Sequence, residues 1–218
     1  MKSRPRYQVR RVKDRARYDR GSAYAILDAG FIAHVGFCLD AQPFVIPMLY
    51  ARDGDQLLLH GSIASRLIKS LGDGIETCVS ATLVDGLVLA RSHFHHSVNY
   101  RSVVAFGRAK PIFDAAEKTR ALEYFVEAVL PGRAAESRAP DRNELAATAV
   151  LVFDIVDISA KVRSGDAKDD KADLDLPIWA GVVPMQTAYG QARPSPDCAD
   201  RPLPESVLNL FNEHASDA

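Results

Sequence analysis

One ten-residue segment groups the residue types that suit a phosphate. His60-Gly61-Ser62-Ile63-Ala64-Ser65-Arg66-Leu67-Ile68-Lys69 follows the apolar run 57–59. It reads as a strand, a glycine turn and the start of a helix. Ser62 is the expected N-cap, which leaves backbone N–H groups at the helix start for an anion. The helix dipole adds partial positive charge there. Arg66 and Lys69 stand three residues apart and share a face. Ile63, Leu67 and Leu71 form the expected core-facing stripe. Hydroxyls of Ser62 and Ser65 with two cations make a chemically sound phosphate anchor. The segment is neither a P-loop nor a dinucleotide fingerprint, because both glycine patterns are missing.

A second group is Ser92-His93-Phe94-His95-His96. On a strand, His93 and His95 would share a face, as a metal site requires. No carboxylate or cysteine stands at ligand spacing, so no metal is assigned; a pocket-rim or turn role is expected. His60 ends its strand against Gly61 and reads as a structural histidine bonding the loop backbone. A Ser/His/Asp hydrolase has no nucleophile elbow here to support it.

The elements that must position these residues are mostly strands. Residues 18–28 have helical apolar spacing and stop at Gly30. Residues 31–37 and 44–50 read as strands separated by a break at Gln42-Pro43. Asp53-Gly54 turns the second into residues 57–60 as a hairpin. Asp85-Gly86 suggests another hairpin, between 75–84 and 87–91. Residues 102–113 read as one long strand with a bulge at Gly107. Asp114 and Glu117 form a capping box that opens a helix to 130, with Leu122, Phe125, Val126 and Val129 on one face. A short helical piece at 143–147, a strand at 148–158, a mobile Asp/Lys-rich excursion at 164–175 and a last helix at 204–214 complete the reading. Hairpins with few helices predict a mainly β chain, an antiparallel barrel with peripheral helices.

Composition sets the limits. The chain has 218 residues, 47% hydrophobic and 25% charged, with a formal charge of −1. No global field draws nucleic acid or an anionic membrane. No apolar run reaches the ~20 residues that span a bilayer. The three cysteines, Cys38, Cys78 and Cys198, have no paired spacing; Cys38 and Cys78 read as buried thiols, and a cytoplasmic protein is expected. The expected organisation is a basic leader at 1–17, a barrel domain at 18–190 and a Pro-rich extension with a short helix at 191–218.

Three segments occur here in a recognisable order: His60-Gly61-Ser62…Ser65-Arg66…Lys69, Ser97-Val98-Asn99-Tyr100-Arg101-Ser102-Val103, and Trp179-Ala180-Gly181-Val182-Val183-Pro184. Together they resemble the flavin-nucleotide-binding branch of the pyridoxamine 5′-phosphate oxidase-like proteins, itself similar to nitroimidazole reductase-like proteins. The resemblance covers about residues 15–190. It implies a split β-barrel and a homodimer with FMN in a groove at the subunit interface. By position, Ser65, Arg66 and Lys69 would hold the FMN phosphate. Pro47, Met48 and Tyr50 would line the isoalloxazine ring, with backbone near His60, Gly61 and Ser62. Asn99, Arg101 and Ser102 would approach from the next sheet, Arg101 as a cation near flavin N1, and Trp179 would close the pocket. The chemistry implied is electron or hydride transfer to a small-molecule acceptor, with the flavin as the reacting group and no catalytic side chain required. Paired basic residues for a substrate phosphate are not found, so the resemblance extends to fold and cofactor rather than to pyridoxamine-phosphate oxidation. A flavin-storage protein and a haem-binding split barrel are the alternative readings.

Overall fold

The computed structural model describes residues 5–215, with side chains to 212. Its strands are β1 (Ala16–Arg17), β2 (Ile32–Leu39), β3 (Gln42–Asp53), β4 (Gln56–Ser62), β5 (Thr77–Leu89), β6 (Ser97–Ile112), β7 (Thr148–Arg163) and β8 (Gly181–Pro184). The helices are α1 (Arg20–Asp28), α2 (Arg66–Gly72), α3 (Ala115–Val129), α4 (Arg142–Ala147) and α5 (Glu205–Ala215). The sheet runs β7-β4-β3-β2-β5-β6 and closes where β6 pairs with β7, all antiparallel. β1 adds to β7, and β8 adds to β5. This is the split β-barrel with peripheral helices that the sequence predicts. Closure removes the long exposed edges that would otherwise template aggregation.

Alternation builds the interior. On β2, Ala33, Val35 and Phe37 point inward, and on β4 Leu57 and Leu59 do the same. They meet Val79, Val103, Leu151 and Phe153 from the other walls. α1 plugs one side with Ala23, Ile26 and Leu27, capped by Asp19, which accepts from the Ser22 N–H at 2.7 Å. α3 lies outside the barrel. Its Ala121 and Phe125 pack on Ala51, Leu58 and Val150 in a separate, smaller cluster. Asp114 caps it by accepting from the Glu117 N–H at 2.8 Å, one half of the expected box. Val126 and Val129 of the expected apolar face remain 36% and 37% exposed.

Several sequence expectations hold. The β3–β4 hairpin turns at Gly54, whose φ is +55°. β6 does break register at Gly107. A side chain there would place its Cβ 1.9 Å from the Asp154 carbonyl oxygen, so only glycine fits the close approach.

Others are corrected. Gln42-Pro43 does not break the chain; β3 runs through both, and the turn is Asp40-Ala41, each with positive φ. Asp85-Gly86 is not a turn. β5 passes straight through it with a register shift between Val84 and Gly86. Gly86 is needed because β8 lies against it: a Cβ would meet the Val183 carbonyl oxygen at 2.9 Å. Cys38 is exposed on β2 and Cys78 only half-buried. Residues 164–175 are irregular apart from one 3-10 turn and are tied to the barrel. Asp169, its side chain 2% exposed, accepts from the Arg91 backbone N–H and guanidinium, both at 2.8 Å.

The basic leader also lies on the barrel, with Arg6 bridging Glu76 and Asp157. Lys2 and Arg4 of that leader fall outside the described residues. No helix among the described residues is long and apolar enough to cross a membrane.

Candidate functional site

β4 and α2 place the predicted phosphate anchor on the barrel rim. The helix starts later than expected: Ser65, not Ser62, is the N-cap. Ser62 ends β4, pairs with Thr148, and its hydroxyl accepts from the Ala64 N–H at 3.2 Å. The extra turn swings Ile63 out of the expected stripe to 52% exposure, while Leu67, Ile68 and Leu71 fill the core. Gly61 sits over Ile68, at 3.0 Å from an ideal Cβ. Ser65 makes no side-chain capping bond, so its hydroxyl stays available. Arg66 and Lys69 are both exposed, and neither has a carboxylate within 4.0 Å among the described residues. The Arg66 guanidinium lies 4.2 Å from the Phe44 ring centroid, which fixes its direction. Ser65, Arg66 and Lys69 therefore form one accessible cationic rim.

The predicted ring-lining residues do not share a surface. The pleat of β3 puts Pro47 on the outside and Met48 and Tyr50 inside. Tyr50 is 2% exposed and donates its hydroxyl to the Leu27 carbonyl at 2.7 Å. Burial raises its pKa. It is a core residue that closes α1 onto the barrel, and Met48 packs beside it.

Asn99, Arg101 and Ser102 are likewise engaged within the chain. Asn99, 8% exposed, donates to the Gly165 carbonyl and accepts from Arg163. Arg101, expected as a cation near flavin N1, grips Asp85 through Nε at 3.0 Å and Nη2 at 2.7 Å, so its charge is balanced within the chain. Ser102 donates to the Lys161 carbonyl at 3.3 Å. Trp179 is 65% exposed and lies over Gly181, where a Cβ would meet its ring at 2.9 Å.

His60 departs from its expected role. It does not bond the loop backbone. It stands on the outer face of β4 beneath α3, with its ring edge-on to Phe125 at 4.5 Å. Its Nδ1 is buried with no hydrogen-bond partner. Burial lowers its pKa below the ordinary imidazole value, so the ring is neutral at pH 7 and keeps a lone pair. The ring forms part of the wall of a cavity of about 540 Å³ between α3 and residues 134–144. Leu122, Phe125 and Val126 make an apolar side. Arg138 and Glu144 also line it, paired at 2.6 Å, and that pairing pulls the Glu144 carboxyl down to about 2. This cavity was not foreseen. Its parts are spread from β4 to α4, and only the ambiguous position of His60 hinted at it.

The histidine cluster is not a strand face. His93–His95 form a short 3-10 turn. His95 reaches Asp170 at 3.3 Å and His96 the Ser92 carbonyl at 2.9 Å.

Residues 19–162 match the family model described as pyridoxamine 5′-phosphate oxidase. The fold is similar to that of the flavocytochrome Anf3 from Azotobacter vinelandii: 41% identity, TM-score 0.87, 94% of this chain and 95% of that one covered. It is similar also to the FAD and heme binding protein from Mycobacterium smegmatis: 37% identity, TM-score 0.86, 90% and 97% covered. A Bacteroides thetaiotaomicron protein named for 5-nitroimidazole antibiotic resistance shares the fold at 22% identity, TM-score 0.58, with 67% and 86% covered. No curated protein matches the chain in sequence. The chain belongs to the pyridoxamine 5′-phosphate oxidase family of split barrels.

Proposed function

We propose that this chain is a redox protein with two cofactor places, one for a flavin nucleotide at the barrel rim and one for haem in the cavity under α3. The observation that carries the reading is His60. A neutral imidazole with an unpartnered buried nitrogen, on the wall of a largely apolar cavity, is what an axial haem ligand needs. The cavity, at about 540 Å³, lies within the roughly 300–1,000 Å³ typical of cofactor pockets. Leu122, Phe125 and Val126 offer a flat apolar wall to a macrocycle. Arg138 would face a propionate, exchanging Glu144 for another carboxylate. The likeness to proteins named a flavocytochrome and a FAD and heme binding protein supports both halves.

For the flavin, Ser65, Arg66 and Lys69 are the phosphate ligands, and Pro47 is the one exposed residue of the three expected to line the ring on β3. The flavin is taken as FAD, which the mycobacterial relative is named for. FMN would use the same rim, and mass analysis of the flavin released by denaturation separates the two. Ile32, Val45, Pro47 and Leu49 leave an exposed apolar patch at the outer face of β2–β3. A patch of this kind supports a homodimer that completes the flavin groove. A bound flavin would supply hydride and single-electron transfer, and a bound haem single-electron transfer. The residues of the chain bind, orient and exclude water; none must act as nucleophile.

The test is the absorption spectrum of the purified chain, with cofactors extracted and quantified. Flavin bands and a Soret band together are the expected result. A protein that stays colourless with excess FAD, FMN and hemin overturns the reading. Turnover with a nicotinamide donor and a panel of acceptors separates an oxidoreductase from a flavin-storage protein.

A further inference from the structure

The far end of β7 carries a second cleft, of about 230 Å³, with the opposite chemistry. Arg15, Arg17, Arg163 and Lys168 line it, with Asp14 and Asp166 as the only acids. Arg163 is 8% exposed. Its guanidinium donates to the Asn99 side-chain oxygen, the Gly165 carbonyl at 3.1 Å and the Asp166 carbonyl at 3.1 Å. All three acceptors are neutral. Among the described residues no carboxylate lies within 4.0 Å of it, whereas Arg52, Arg91 and Arg101 each hold an aspartate. Among the described residues, Nε and one Nη2 proton have no acceptor.

Burying an unbalanced charge is costly, and a protein meets that cost with a counter-ion. Burial lowers the Arg163 pKa, and the nearby Arg15 adds to that shift. Arg15 and Lys168 make no ion pair among the described residues, and Arg17 bonds only to backbone carbonyls. A planar guanidinium with two spare N–H groups fits an oxyanion in forked geometry.

We propose that this cleft is an oxyanion site for a phosphoryl or diphosphoryl group, with Arg163 as the buried anchor and Arg15, Arg17 and Lys168 as the outer cations. It is distinct from the Arg66–Lys69 rim within one chain. Thr148, where β7 begins, pairs with Ser62 beside α2, and Arg163 is the last residue of the same strand. The anion would come either from a free phosphorylated ligand or from the phosphates of the bound flavin, an alternative that rests on the flavin reading above.

Isothermal titration of the purified chain, cofactors in place, with inorganic pyrophosphate tests the proposal. Saturable binding that weakens with salt is expected. Arg163→Met should abolish it, and the double variant Arg15→Ala/Lys168→Ala should weaken it about tenfold or more. The double variant keeps the test valid if Arg163→Met fails to fold. With flavin content unchanged in these variants, the ligand is a free anion. If instead pyrophosphate binds only after flavin removal, and the variants retain less flavin, the anion is the flavin's own phosphate. If pyrophosphate binds no tighter to the parent chain than to either variant, with or without flavin, and flavin retention is equal, the proposal is overturned.

Discussion

The cavity under α3, whose His60 pairs with Val150 near the start of β7, and the cleft at the end of that strand solve opposite problems. At the α3 end, Phe125 and Leu122 strip water from His60 and keep it neutral. At the other end, backbone carbonyls and Asn99 hold Arg163 in place without neutralising it. The first arrangement suits a flat, largely apolar macrocycle bound through a lone pair. The second suits a compact anion. In both, burial sets the chemistry, and the difference lies in which neighbours the fold supplies.

The comparison breaks most decisively at His60. Replacing it by Ala should cut haem per chain by about tenfold or more, since second-sphere changes alone cost 10- to 100-fold at metal sites. Flavin content and pyrophosphate binding should not change. Equal loss of flavin and haem would show that the two places are not separate.

Phe125→Ala removes the wall that the His60 ring rests on and opens the small core cluster. The expected cost is about 3 kcal/mol, read in the haem-free chain as a thermal midpoint lower by roughly 6–12 °C. Leu122→Ala, on the more exposed cavity side, should cost less.

Arg66→Ala with Lys69→Ala sharpens the contrast between the rim and the cavity. Flavin affinity should fall about tenfold to a hundredfold, as expected for the loss of charge-assisted phosphate contacts. The Soret band should remain. Fluorescence titration of the flavin-stripped double variant measures it.

The smallest effect is on pH dependence. The folded pKa of His60 is depressed, so below about pH 6.5 the unfolded chain takes up the proton more readily. Its contribution to stability is present above that pH and is lost as pH falls through the window between the unfolded and folded values. Melting curves of the haem-free chain from about pH 7.5 to 5.5 should shift downward, and less so in His60→Phe.

Much of the barrel was legible because its signals are local. The β3–β4 turn at Gly54, the bulge at Gly107 and the Asp114 cap are each written within a few residues. Asp85-Gly86 misled for a physical reason. A glycine that admits a distant strand looks the same, in one dimension, as a glycine that turns the chain. β8, which explains Gly86, comes from the other side of the sequence. Tyr50 misled in a similar way: an aromatic on a strand could serve a ligand or the core, and only the Leu27 carbonyl decides it.

The cationic rim at Arg66 and Lys69 could be read directly, since both lie on one short helix. The surroundings of His60 could not, because Phe125, Arg138 and Glu144 reach it only through tertiary packing. Arg163 lies beyond the 148–158 strand read from the sequence, and only its burial among neutral acceptors sets it apart.

The proposed division gives haem to His60 and flavin to the Ser65–Arg66–Lys69 rim. Low-temperature EPR and absorption spectra of the purified chain and of His60→Ala test it most directly. A ferric haem signal with histidine ligation in the parent chain, lost in the variant while its flavin bands persist, is the predicted result. An unchanged haem signal in His60→Ala would contradict it.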